Sequence, residues 1–118
     1  MIIMTIKIKA KANKRFEVMQ TVQDINRSSS NILNSIRYEI YCELEDNNSF
    51  ILVGKWKKRE SLNQYIASYK FSVLLGTKAL LCEPIDIQIF TVSHSEGMEA
   101  VHSLREPKSK QTTLDNDS

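Results

Sequence analysis

The sequence contains few of the residues from which active sites are most often built. Its 118 residues include two histidines, two cysteines and three glycines. Both histidines, His94 and His102, lie near the C-terminal end, so the sequence gives no basis for a Ser-His-Asp or Cys-His arrangement. The three glycines are far apart and form no phosphate-binding loop. We therefore expect neither a metal nor an organic cofactor, and any catalysis has to proceed without them.

Other absences argue against whole classes of partner. Cys42 and Cys82 are isolated and lack the spacing of metal ligands. The formal net charge is only +2, and no five basic residues are consecutive, which argues against a nucleic-acid partner. No apolar stretch approaches the ~20 residues of a membrane span, and the first basic residues follow the apolar ones, the reverse of a secretory signal. The simplest interpretation is a reduced, cytoplasmic protein without a membrane or nucleic-acid partner.

What the sequence does contain is a regular succession of strand and helix patterns. Apolar residues alternate with polar ones in four stretches, which predicts strands over residues 2–10, 36–44, 50–56 and 85–92. Apolar residues recur at three and four positions in two other stretches, which predicts one helix capped by Asn13 and a helical region from the polar turn 57–60 to about Leu81. A second short helix is predicted to open near Ser68 in that region. The resulting order predicts an α+β, ferredoxin-like β-α-β-β-α-β domain.

The length is that of one domain, and we expect this domain to cover residues 1–93. After Ser93 the composition becomes more polar. Residues 94–118 are therefore predicted to form a polar C-terminal tail that is partly disordered.

One face of the predicted sheet can be covered by the two helices, but the other face still carries apolar residues. Mixed with charged and polar residues, that face presents Ile3, Thr5, Tyr41, Ile51, Val53, Phe90 and Val92, most of which are apolar. Soluble monomers rarely expose a patch of this kind, whereas two such sheets packed face to face would bury it. We therefore expect a homodimer.

Trp56, the only tryptophan, ends the central strand and is the first candidate for a ligand-binding residue. Gly54 lies two residues earlier on the same face, where a strand glycine often marks a close approach by a ligand. A missing side chain beside an indole can form a slot for a planar molecule, which would stack on Trp56. The alternative is that Trp56 is a core aromatic between sheet and helix.

The region around Trp56 resembles the antibiotic biosynthesis monooxygenase family. The family pattern is an apolar strand ending in Glu-x-Trp, then a helix, then a Ser-Pro-His-Phe-like step. Here the sequence reads Gly54-Lys55-Trp56 and Ser68-Tyr69-Lys70-Phe71. The resemblance covers roughly residues 1–92 and implies a dimeric α+β barrel in which the tryptophan lines the substrate cavity.

The same resemblance implies roles for other residues. Tyr65 and Lys70 occupy positions where many members carry histidines, and Phe71 matches the family phenylalanine. The implied catalytic residues are Trp56, Tyr65 and Lys70, and the implied substrate-binding residues are Gly54, Tyr38, Tyr41 and Phe71. Tyr65 as a structural helix residue and Lys70 as a surface lysine remain open alternatives.

The implied activity is a cofactor-independent monooxygenase that oxidises a small phenolic, quinol or polyketide-like aromatic substrate with dioxygen. Trp56 would stack the ring, the tyrosines would offer hydroxyl groups, and Lys70 would stabilise the anion. The alternative is a non-catalytic dimeric barrel that binds a small aromatic ligand or a partner protein, because the presumed cavity lacks a histidine or an acid.

Overall fold

The computed structural model describes residues 1–29 and 37–106 of the chain. Four strands form one antiparallel sheet in the order β2-β3-β1-β4. The strands are β1 (Ile2–Lys9), β2 (Glu39–Cys42), β3 (Ser49–Trp56) and β4 (Asp86–Thr91). The helices are α1 (Arg15–Ser29), α2 (Arg59–Ile66), α3 (Tyr69–Gly76) and α4 (Met98–Arg105). Strand and helix order confirm the predicted α+β, ferredoxin-like fold.

The register of the sheet separates its two faces. In the middle of the sheet Ile6 of β1 lies between Leu52 of β3 and Ile87 of β4. Ile6 and Leu52 are completely buried because α1, α2 and α3 cover this face. The core therefore lies between one sheet face and three helices, and alternate residues of the two central strands, β1 and β3, point into it.

The first helix begins differently from its prediction. Asn13 is not its cap, because the backbone turns as a 3₁₀ helix over Ala12–Lys14 before α1 starts. Val18, Val22 and Ile25 form the buried side of α1 together with Asn26, whereas Phe16 is 67% exposed.

The second strand is shorter than its alternating pattern indicated. It ends at Cys42, and Leu44, the last predicted strand residue, is 95% exposed in the turn. Ile36, the first predicted strand residue, lies outside the described residues. The turn is held by Asp46, whose carboxylate accepts hydrogen bonds from the Asn48 N–H at 3.1 Å and the Ser49 hydroxyl at 2.8 Å. These bonds end β2 early because they fix the chain reversal.

The second helical region divides where it was predicted to divide. The Ser68 hydroxyl accepts a hydrogen bond from the Phe71 N–H at 3.3 Å and so caps α3. This cap turns the chain between α2 and α3, and it places Tyr65 and Phe71 on adjacent helices with both side chains pointing into the core.

The opposite face of the sheet has no described element packed on it. Ile3, Ile51 and Val53 are half-buried there, and Phe90 is 44% exposed. Helix α4 follows β4 and also exposes its apolar side chains, Met98, Val101 and Leu104. Of the helices in the described ranges, none has the length and apolar character needed to cross a membrane.

Candidate functional site

Four aromatic side chains meet between the sheet and helices α2 and α3. Trp56 comes from the end of β3, Tyr38 from the residue before β2, Tyr65 from α2 and Phe71 from α3. The Tyr65 ring lies 5.5 Å from both the Trp56 and the Phe71 ring and 6.0 Å from the Tyr38 ring, measured between centroids. All four side chains are buried. We call these four residues the aromatic cluster.

Gly54 forms the floor of the aromatic cluster. A Cβ atom at this position would lie 2.8 Å from Cη2 and 2.9 Å from Cζ3 of Trp56, and 3.2 Å from Cε1 of Tyr38. These distances are shorter than ordinary carbon contacts, so only glycine lets the indole fold down onto the strand. The predicted slot beside Trp56 is therefore not open in this structure, because the indole of Trp56 occupies it.

The two tyrosines of the cluster share a hydrogen bond. The Tyr38 hydroxyl donates to the Tyr65 hydroxyl at 2.6 Å. Each hydroxyl carries one proton, so one proton of the pair is used in this bond and the other remains available as a donor. In the arrangement described, the available proton belongs to Tyr65.

Trp56 supplies a second available donor. Its indole Nε1 is buried and has no hydrogen-bond partner among the described residues. Buried N–H groups are rarely left without an acceptor, so this group is a feature that a core role alone does not explain. The missing hydrogen bond also means that packing alone holds the indole over Gly54.

Burial also fixes the protonation of the cluster. It raises the pKa of Tyr38 far above the usual value, and the neighbouring Tyr65 raises it further. Burial raises the pKa of Tyr65 as well, and the hydrogen bond from Tyr38 offsets part of that rise. Both tyrosines therefore stay protonated at neutral pH and act as hydrogen-bond donors, not as bases.

Among the described residues, no histidine or carboxylate accompanies these donors in the core. Of the described residues, Asn26 and Thr77 are the only buried ones that are polar or charged, apart from the tyrosines and the tryptophan. The aromatic cluster can therefore stabilise an oxygen that carries negative charge, but it offers no side chain to accept a proton. A reaction at this position has to begin from a substrate that ionises readily.

Two predicted site residues, Tyr41 and Lys70, are not part of the aromatic cluster. Tyr41 lies opposite Ile51 on the other face of the sheet and is 53% exposed, so the fold separates it from Trp56. The reason is the period of two in a strand, since Tyr38 and Tyr41 are an odd number of residues apart. Lys70 is half-buried on α3, next to Phe71.

Asn26 supports the cluster and was not identified from the sequence. Its side chain binds the backbone of Tyr38 through both of its polar atoms. The only sequence signal was its position one residue after Ile25 on the buried side of α1. A polar residue on the edge of an apolar helix face is too common to single out.

A metal centre is not formed by the described part of the chain. Within residues 1–29 and 37–106, no three side chains of the metal-ligating types histidine, cysteine, aspartate and glutamate come together. His94, which follows β4 in the chain, is exposed, and its Nε2 lies 3.1 Å from Oε2 of Glu96.

The sequence profile of the family described as antibiotic biosynthesis monooxygenase matches residues 1–73. No sequence among curated proteins matches the chain. Two similar solved structures are provisionally described as antibiotic biosynthesis monooxygenases. The one from Deinococcus radiodurans has a TM-score of 0.71 and 14% identity, and the match covers 82% of this chain and 97% of that one. The one from Nitrosomonas europaea has a TM-score of 0.69 and 15% identity, and the match covers 80% of this chain and 100% of that one.

A conserved protein from Methanosarcina mazei is 26% identical, with a TM-score of 0.67, and the match covers 75% of this chain and 89% of that one. The likenesses to the Deinococcus and Nitrosomonas structures establish the fold alone. The matched profile spans β1 to the middle of α3 and therefore includes all four residues of the aromatic cluster.

Proposed function

Because this chain belongs to the antibiotic biosynthesis monooxygenase family, we propose that it is a cofactor-independent monooxygenase. Its substrate is a small phenol, quinol or polyketide-like aromatic, and its oxidant is dioxygen. The observation that carries this proposal is the pair of available donors in the aromatic cluster, the Trp56 N–H and the Tyr65 hydroxyl. Two donors beside flat rings suit an aromatic molecule that carries a phenolate or enolate oxygen.

Substrate entry requires the indole of Trp56 to leave its position over Gly54. No hydrogen bond to a described residue holds the indole there, so the movement breaks packing contacts only. The exposed backbone of Gly54 then becomes one wall for the substrate ring, with Phe71 and Tyr38 beside it. Trp56 and Tyr65 donate to the substrate oxygen, and Tyr38 holds the Tyr65 hydroxyl in place.

The reaction consumes one dioxygen for each substrate. The substrate hydroxyl loses its proton to solvent, and the electron-rich ring carbon forms a bond to dioxygen. The hydroperoxide so formed breaks its O–O bond and leaves a carbonyl on the ring. The second oxygen atom departs as water with two hydrogens, one from the hydroxyl and one from the ring carbon. The phenol is thereby oxidised to a quinone, and no external reductant is needed.

Lys70 is the charged residue that we assign to this reaction. Lys70 precedes Phe71 on α3, so its ammonium group belongs to the helix that contributes Phe71 to the aromatic cluster. In this role it stabilises the negative charge of the substrate oxygen. Tyr41 has no part in the proposed site, because it lies on the other face of the sheet.

We also propose that the domain of residues 1–93 acts as a homodimer. The face of the sheet that carries Ile3, Val53 and Phe90 is open in the described chain, and a second copy would cover it. The remaining residues, 94–118, form a separate tail in this proposal, of which 107–118 lie outside the described residues.

Oxygen consumption tests the proposed activity. The protein is mixed with substituted hydroquinones or with the polyketide-like phenol 1,8-dihydroxyanthrone, and uptake is measured with an oxygen electrode against the rate without protein. Removing the donor in Tyr65→Phe should lower the rate by about 10²-fold. Tyr69→Phe is the matched control, since Tyr69 is 82% exposed on α3 and its loss should leave the rate unchanged.

The absence of a buried histidine or carboxylate from the part of the chain that the structure describes favours a second candidate, a non-catalytic barrel that binds an aromatic ligand or a partner protein. In that case phenols would quench the fluorescence of Trp56 without any oxygen uptake. Uptake that Tyr65→Phe does not change would show that the cluster is not the site of oxidation.

A further inference from the structure

A cavity opens on the helix-covered side of the sheet, away from the aromatic cluster. It lies between α1 and strands β2 and β3 and has a volume of about 210 Å³. Its apolar lining comes from Val18, Met19, Val22, Ile40 and Phe50. Arg15, Gln23 and Cys42 complete the lining. We call this cavity the Arg15 cleft.

The size and lining of the Arg15 cleft suit the body of a small organic molecule. A cavity of roughly 150 Å³ in a protein core accommodates benzene, so this volume admits a phenyl ring with a short chain. The cleft is open to solvent at one side, which gives such a molecule an entry path. Ligand sites typically combine an apolar lining of this kind with a few polar groups that fix the orientation.

Arg15 is the polar group that gives the cleft its chemical preference. Its Nε donates to the Asn47 carbonyl at 2.6 Å, and its guanidinium carbon lies 5.4 Å from the centre of the Phe50 ring. These two contacts fix the guanidinium at the cleft. They also leave the N–H groups of its two terminal nitrogens for another acceptor, in the forked geometry that matches a carboxylate.

The charges around the cleft favour an anion. None of the residues that line it is acidic, and Arg15 forms no ion pair with a described carboxylate. A guanidinium that packs on Phe50 and faces an apolar cavity can therefore pair with an anion supplied from outside the chain. The Gln23 amide, also at the lining, can donate to the same anion.

We propose that the Arg15 cleft binds a small carboxylate whose apolar body is a phenyl ring or a short alkyl chain. The body lies against Val18, Val22 and Ile40, and the carboxylate pairs with Arg15. The site is separate from the aromatic cluster, because Phe50 and Trp56 are six residues apart on β3, or roughly 20 Å. It also lies on the opposite face from the proposed dimer contact, so it does not depend on the proposed function.

Calorimetry with 4-phenylbutyrate tests this assignment directly. The full chain should bind the acid, and 4-phenylbutanamide, which has the same shape without the charge, should bind at least about tenfold more weakly. Arg15→Gln should weaken the binding of the acid by a similar factor. The matched control is Lys14→Gln. It removes the same charge at the neighbouring residue, whose side chain does not line the cleft. Equal affinities of acid and amide, or equal effects of the two variants, would overturn the proposal.

The two cysteines give a second test that needs no variant. Cys42 lines the cleft and Cys82 does not, and both thiols are exposed. Saturating 4-phenylbutyrate should slow the alkylation of Cys42 by iodoacetamide several-fold, while the alkylation of Cys82 continues at its original rate. Mass spectrometry of the peptides separates the two sites. Equal alkylation rates at Cys42 with and without the acid would show that the cleft does not bind it. This result would hold even if the Arg15→Gln variant failed to fold.

Discussion

The side chain of Asn26 holds the backbone of Tyr38 at both of its polar groups. Its Nδ2 donates to the Tyr38 carbonyl at 2.8 Å, and its Oδ1 accepts from the Tyr38 N–H at 2.8 Å. Asn26 belongs to α1 and Tyr38 to the entry of β2, so this pair connects a helix to the edge strand. It also sets the position from which the Tyr38 hydroxyl reaches Tyr65.

Replacing Asn26 with alanine should lower the free energy of unfolding by about 2–3 kcal/mol. The change removes two buried hydrogen bonds and leaves the N–H and the carbonyl of Tyr38 without their partner. Urea unfolding followed by circular dichroism measures the difference. Asn63→Ala, in an exposed part of α2, is the control and should change the stability little. A stability equal to that of the unmodified chain would show that solvent replaces both bonds.

Replacing Gly54 with valine should lower the free energy of unfolding by about 1–3 kcal/mol through overpacking. The new side chain would occupy the space that the indole of Trp56 fills, with contacts as short as 2.8 Å already at the Cβ atom. Gly76→Ala provides a contrast, because nothing lies within 4 Å of a Cβ atom built there. Thermal unfolding should give a lower melting temperature for the first variant and an unchanged or higher one for the second. A fully stable Gly54→Val protein would mean that the cluster contains unused space.

The stability of the protein should fall when the pH rises above about 10. Burial raises the folded-state pKa of Tyr38 and Tyr65, so the folded protein keeps two protons that the unfolded chain loses above the normal tyrosine pKa. The stabilisation is complete below that value and is lost as the pH increases through the folded-state pKa.

Urea unfolding at pH 8, 10 and 11 measures this dependence. The double variant Tyr38→Phe and Tyr65→Phe should show a flatter decrease in stability, because phenylalanine does not ionise. If both proteins lost stability in parallel, other groups would cause the alkaline effect and the two tyrosines would not be shielded as described.

Replacing Val53 with aspartate should release monomers or weaken the dimer. Val53 lies in the middle of the open sheet face, between Thr5 and Glu39 on the neighbouring strands, so a charge there would be buried in the proposed interface. Sedimentation velocity of both proteins over a range of concentrations measures the change. Leu44→Asp adds the same charge to a turn where the side chain is 95% exposed, and its dimer should persist. An unmodified chain that sediments as a monomer at every concentration would refute the dimer.

The backbone order and the two faces of the sheet could be predicted from the sequence. In β1 and β3 every second residue is apolar, and a strand places alternate side chains on opposite faces. The same rule places Tyr41 on the face opposite Trp56. The alternating pattern was therefore correct for Tyr41, and it already argued against grouping this residue with Trp56 in one binding site. The start of α3 at Ser68 was also readable, because a serine cap acts through the residues that directly follow it.

The limits of the elements were less predictable. The end of β2 depends on the hydrogen bonds of Asp46, and the exposure of Phe16 depends on how α1 rotates against the sheet. Neither is determined by local spacing, since a turn and a helix orientation both depend on contacts with other parts of the chain.

By itself, the sequence determined the order of strands and helices and which side chains share a strand face, including Leu52 and Trp56, because the periods of strand and helix are local properties of the backbone. Only the tertiary structure decided which of the core side chains contact and hydrogen-bond one another. Tyr38 and Tyr65 are 27 positions apart and bond through their hydroxyls. The Trp56 indole covers Gly54 and leaves its N–H without a described partner. Such relations depend on side-chain rotamers chosen by the packing of several elements at once, and no local pattern specifies that choice.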